Sequence, residues 1–180
     1  MPTPQKSKSG GARKSTARKT QRTGPNDAIK LLEADHRQVE KWFKEFEATN
    51  GQKTKDKLAE QICTALKVHT QIEEEIFYPA SREAFSTEQE EMVDEAVVEH
   101  AAAKTLIAEI EAMEVSEELF DAKVKVLQEM IEHHVEEEEK EYFPAVRKTE
   151  MDLEAIGAQM AQRKEELMAQ MTRVNGRVIQ

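Results

Sequence analysis

The stretch HTQIEEEIFYPA at residues 69–80 returns as HVEEEEKEYFPA at residues 134–145, with the histidine, the glutamate four places on and the Pro-Ala pair all in register. A histidine and a glutamate at i and i+4 share one face of a helix. Written twice, the pair reads as one structural arm supplied by each half of the chain. A further histidine precedes each arm: His36 ahead of His69, and His100 ahead of His134. The single histidines lie 64 residues apart and the arms 65, so the whole pattern is a repeat.

A chain of 180 residues is enough for one domain with a real core. Six Gly, five Pro and 5% aromatic residues, against an abundance of Glu, Lys, Ala, Gln and Met, favour helix over strand. The net charge of −10 is unevenly spread. Residues 1–26 hold seven Lys or Arg and no acid, which leaves 19 basic and 36 acidic side chains on the remainder. An acidic body of that kind does not suggest a nucleic-acid-binding core. Cys63 cannot form an internal disulfide and sits among Ile62, Ala65 and Leu66, so it reads as a small core residue in a reducing compartment. No apolar run is long enough to span a membrane and the N-terminus lacks the apolar stretch of a secretory signal, so a soluble, cytoplasmic protein is expected.

Residues 1–26, rich in Lys, Arg, Ser, Thr and Gly and free of large apolar side chains beyond Met1, are expected to form a disordered basic tail. It would serve as a solubilising segment or make weak contact with nucleic acid or another polyanion. From Asn26 and Asp27 the pattern turns helical, with breaks near Gly51, Ser86 and Ser116. Helices are expected over about 27–48, 54–84, 87–113 and 117–147, and every apolar stripe carries a histidine. The fold class is all-α: an antiparallel up-down four-helix bundle over residues 27–148, with an additional C-terminal amphipathic helix within 149–180. Leu153, Ile156, Met160, Leu167 and Met171 form that helix's apolar side, which would pack on the bundle or mediate an oligomer.

Measured from the hairpin tips, His36, His69, Glu73, His100 and His134 all stand 13 to 19 residues deep. At about 1.5 Å per residue the offsets amount to little more than a helical turn. Four histidines and the two glutamates Glu73 and Glu138 should therefore meet in one layer. One histidine on an apolar stripe is usually a hydrogen-bonded core residue. Four at matching depth are another matter, and two buried carboxylates require either protonation or a cation. Imidazole with carboxylate and no thiolate suits iron, manganese or zinc. Six ligands are too many for one tetrahedral zinc, whereas two bridging carboxylates leave two histidines for each of two ions. That arithmetic favours two iron ions, with manganese less favoured.

At these residues a resemblance becomes specific. LLEADHRQVEKWFKEFE, HTQIEEEIFYP, Glu99-His100 and HVEEEEKEYFP resemble the hemerythrin-like HHE cation-binding domain over residues 28–147. The resemblance implies His36, His69, His100 and His134 as terminal iron ligands, Glu73 and Glu138 as bridging carboxylates, and an oxo or hydroxo bridge completing the pair. It departs from the oxygen carriers of the family, which have two histidines one turn apart on the third helix; here the positions four from His100 are Ala96 and Lys104. His133, beside His134, reads as a flanking residue, or else a fifth ligand or proton shuttle. Glu74, Glu75, Glu136, Glu137 and Glu139 read as a solvated face, with Glu74 or Glu137 as a substitute for the missing histidine. Pro79 and Pro144 should bend or end their helices, and Phe77, Tyr78, Tyr142 and Phe143 should cap the site. The implied function is binding or reduction of a small oxidant (oxygen, peroxide or nitric oxide) in stress response or sensing. The alternatives are iron storage or donation, and a metal-free helical interaction protein.

Overall fold

The computed structural model describes residues 27–175, with side chains through Met171. The basic tail lies outside the described residues. Helix α1 is Ala28–Ala48. Helix α2 runs through Gln52–Ile72, a wide turn at Glu73–Phe77 and Tyr78–Ala84. Helix α3 is Thr87–Glu111. Helix α4 repeats the layout of α2, with Phe120–Glu137, a wide turn at Glu138–Tyr142 and Phe143–Val146. Helix α5 is Leu153–Asn175. Among the described residues there is no strand, and no helix is long and apolar enough to cross a membrane.

The ends form where short-range chemistry allows. The Asp27 carboxylate caps α1 by accepting from the Lys30 N–H at 2.9 Å. At the start of α3 the Ser86 N–H donates to the Gln89 side chain at 3.1 Å. The third helix stops at Glu111 and the fourth starts at Phe120, leaving turns where the periodicity extended each helix further. That over-reading is typical of helix ends, where charged residues keep the pattern after the backbone has left it.

Helices α1 to α4 pack in a ring, α1 on α2, α2 on α3, α3 on α4 and α4 on α1, which is the expected up-down bundle. Helix α5 lies across α1 and α2. Its Leu153, Met160 and Leu167 are buried, so its apolar side is spent on the chain's own bundle. Two apolar clusters fill the interior. One contains Ile29, Leu32, Val68, Ile72, Phe77, Phe143 and Met160. The other contains Val39, Phe43, Leu58, Ile62, Leu66, Ile107 and Leu127, with Trp42 packed at its margin. Burial of each such side chain contributes about 1.5–3 kcal/mol. Every helix of the ring passes from one cluster to the other through its histidine. Cys63 is enclosed in the second cluster, where burial and then the Glu111 charge push its thiol up to about 12, so it is an inert core residue.

Pro79 and Pro144 do not end their helices. Each follows a wide turn in which an N–H reaches back five residues, Tyr78 to the Glu73 carbonyl and Phe143 to the Glu138 carbonyl. A proline cannot donate to the fourth carbonyl back and its ring crowds that carbonyl. The extra residue in the turn relieves the crowding and lets the helix continue. Both wide turns begin at the glutamate of the repeated arm.

Candidate metal centre

The four histidines arrive in two facing pairs. His36 Nε2 lies 3.2 Å from His69 Nε2, and His100 Nε2 lies 3.1 Å from His134 Nε2. The glutamates tie the pairs together. Glu73 Oε2 is 3.2 Å from His69 Nε2 and 3.4 Å from His100 Nε2. Glu138 Oε2 is 3.4 Å from His36 Nε2 and 3.6 Å from His134 Nε2. Each carboxylate thus touches one histidine of each pair. All six side chains are buried, with Glu73 fully enclosed.

The outer ring nitrogens show which way the histidines face. His36 Nδ1 meets Glu139 at 2.9 Å, His100 Nδ1 meets Glu74 at 3.0 Å and His134 Nδ1 meets Glu99 at 2.7 Å. His69 Nδ1 stands 3.6 Å from Asp35. A carboxylate beside Nδ1 draws the ring proton there and leaves the Nε2 lone pair facing inward. The centre of the layer is therefore lined by lone pairs with few protons to share. Both oxygens of Glu73 and Oε2 of Glu138 are buried without a hydrogen-bond partner. Buried acceptors left in this way cost free energy unless something electropositive joins them.

The titration of the layer points the same way. Burial pushes the Glu73 carboxyl well above its ordinary value, reinforced by the charge of Glu138. Burial and then His134 push His100 down to about 2. Burial also opposes ionisation of Glu138, but His134 and His36 outweigh it and bring that carboxyl down to about 2. The donor set and the orphaned oxygens both fit metal cations, with His36, His69 and Glu138 grouped on one side and Glu73, His100 and His134 on the other.

Two features escaped the sequence reading. Glu74 and Glu139 are not a solvated face: each orients the single histidine of the opposite half and is itself held by a cation, Lys104 and Arg37 respectively. Asp35 and Glu99, each directly before a single histidine, face the arm histidines and complete the outer ring, with Lys164 of α5 pairing with Asp35. The signal was the repeated acid-His and Glu-Glu dipeptides, obscured by the abundance of acids around them. His133 is outside the layer and exposed. The aromatic cap is as expected, but Tyr78 does more than cover: its hydroxyl donates to Glu138 at 3.2 Å and lies 3.3 Å from His100 Nε2.

The sequence pattern of the hemerythrin HHE cation binding domain matches residues 27–146. The chain belongs to the hemerythrin HHE cation-binding domain family. An uncharacterized hemerythrin-like protein of Schizosaccharomyces pombe is 25% identical over 114 residues, covering 63% of this chain and 56% of that protein. A DNA nickase of Nostoc is 29% identical over 118 residues, covering 65% of this chain and 32% of that protein. The chain therefore spans less than two thirds of either relative. Among solved structures, an HHE cation binding domain-containing protein of Mycobacterium kansasii shares the fold, with a TM-score of 0.68 and 21% identity over 80% of this chain and 88% of that one.

Proposed function

We propose that this HHE domain holds two iron ions, with His36, His69, His100 and His134 as terminal ligands and Glu73 and Glu138 bridging, and that the centre binds or reduces a small oxidant in the cytoplasm. The observation that carries the reading is the crossed contact of each buried carboxylate with both histidine pairs. A single ion would not call for that crossing. Two bound irons would supply Lewis acidity and electrons for a small oxidant. Manganese fits the same donors but is the less favoured ion.

The chain's own residues set what reaches the centre. A cavity of about 20 Å³ touches all four histidines and is walled by Val39, Leu66, Ile131 and Val135. That is room for roughly one water-sized molecule, which suits a diatomic or peroxide ligand and no larger substrate. The apolar walls exclude bulk water. Tyr78 supplies a hydroxyl donor beside Glu138 and His100, where it can hold a hydrogen bond to a ligand or to the carboxylate.

Aerobic purification, metal analysis and an absorption spectrum test the reading. About two irons per chain with oxo-bridge charge-transfer bands are expected. Chelator-stripped protein that neither rebinds iron anaerobically nor gains thermal stability from it would overturn the proposal in favour of a metal-free interaction module. Peroxide or nitric oxide added to the reduced protein should then be consumed. Iron uptake and release without such consumption would move the assignment to iron storage or donation.

A further inference from the structure

The four outer carboxylates differ in one respect. Glu74 is backed by Lys104, Glu139 by Arg37 and Asp35 by Lys164. Among the described residues Glu99 has no lysine or arginine partner. Its Oε2 holds His134, while its Oε1 faces the exposed His133 at 3.7 Å. His133 Nε2 in turn lies 3.4 Å from Glu137. One ligand atom from each of Glu99, His133 and Glu137 falls within 4.8 Å of the others.

Glu99 and Glu137 of this trio line a cleft of about 60 Å³ whose walls also include Glu95, Glu141, His134 and Glu138; His133 meets both glutamates from outside that lining. Among the described residues no lysine or arginine lines the cleft. Among the described residues Glu95, Glu99, Glu137 and Glu141 have no Lys or Arg ion-pair partner, unlike acids elsewhere on the surface such as Glu40, Glu47, Glu75 and Glu111. Glu138, 2% exposed, reaches the cleft while its Oε2 has no hydrogen-bond partner. A larger cleft on the other flank, about 300 Å³, carries Arg37 and Lys140 and is electrostatically mixed.

We propose that Glu99, His133 and Glu137 form an outer divalent-cation site at the mouth of an acidic cleft through which metal passes to His134 and Glu138. The proposal rests on the reading of the buried layer as a metal centre. A narrow recess lined by one sign of charge concentrates counter-ions and speeds their capture. His133 and Glu137 give a transient ligand pair with open coordination positions. Glu99 spans the gap, one oxygen in the outer trio and the other on a histidine of the buried layer.

Cobalt(II) is a suitable probe because its visible bands report ligation without oxidation. The full chain, stripped by chelator and checked by circular dichroism, is titrated at equilibrium and mixed with cobalt(II) by stopped flow. The wild type should take up two ions tightly and a third weakly, with a loading rate that falls as salt is added. His133→Ala and the double variant Glu95→Gln/Glu141→Gln should keep the two tight ions but load about tenfold more slowly. His133→Ala should also lose the weak third ion. Glu132→Gln, on the opposite flank, should load at the wild-type rate. Variants that load as fast as the wild type would overturn the outer site while leaving the buried centre intact. No tight cobalt in the wild type would overturn the buried centre and this inference together.

Discussion

The two halves of the bundle present the same histidine and glutamate side chains inward and opposite chemistry outward. By the repeat, Val68 corresponds to His133, Ile72 to Glu137, Ile76 to Glu141 and Leu31 to Glu95. In the first half these apolar residues meet α5. In the second half the corresponding residues are the exposed His133 and three glutamates that line a cleft. The inner pattern is constrained by the facing atoms of the other half, so both copies keep it. The outer pattern answers only to what lies over it, and a single C-terminal helix can cover one half. A further asymmetry lies over the centre: Tyr78 stacks near His100 at 5.4 Å between ring centroids, whereas its counterpart Phe143 stacks on His36 at 5.9 Å and brings no hydroxyl.

If the two arms are equivalent inside, Glu73→Ala and Glu138→Ala should each take metal content from about two ions per chain to nearly none, because each carboxylate touches both histidine pairs. Retention of one ion by either variant, measured by elemental analysis, would break the equivalence. The outward difference is next in size. Met160→Ala, at a fully buried position on the inner face of α5, should cost about 2–5 kcal/mol in denaturant unfolding. Glu95→Ala in the open half should change stability by less than about 0.5 kcal/mol.

The outer carboxylates hold their histidines at different distances in the two halves. Glu99→Gln loosens a 2.7 Å contact to His134 and should weaken metal affinity about 10- to 100-fold. Asp35→Asn, where the contact to His69 is 3.6 Å, should weaken it less. Competition against a chromophoric chelator would read both, and equal losses would show that contact distance is not what separates them. The smallest effect expected is that of Tyr78→Phe, which makes the two halves alike over the centre. It should cost about 1 kcal/mol through the hydrogen bond to Glu138 and alter the absorption spectrum of the loaded centre.

Much of this was legible in the chain. His36, His69, Glu73, His100, His134 and Glu138 could be selected by register alone, because a helix converts four-residue spacing into a shared face and a hairpin converts distance from its tip into depth. Less legible were the acids next to them. Glu74 and Glu75 are neighbours in one acidic run, yet Glu74 turns inward to His100 while Glu75 pairs with Arg163 of α5 on the surface. The wide turns at Glu73 and Glu138 were hidden for a related reason: proline signals an interruption but not whether the helix will end, bend or widen.

The helical class, the twofold repeat and the six inward-facing histidine and glutamate side chains were fixed by spacing along a regular helix. Only the tertiary structure decided that each glutamate crosses between histidine pairs, that α5 covers the first half and leaves the second open, and which carboxylates stand behind which imidazoles. Those outcomes depend on contacts between residues far apart in the chain, such as His36 with Glu139 and Asp35 with Lys164, and no local periodicity encodes them.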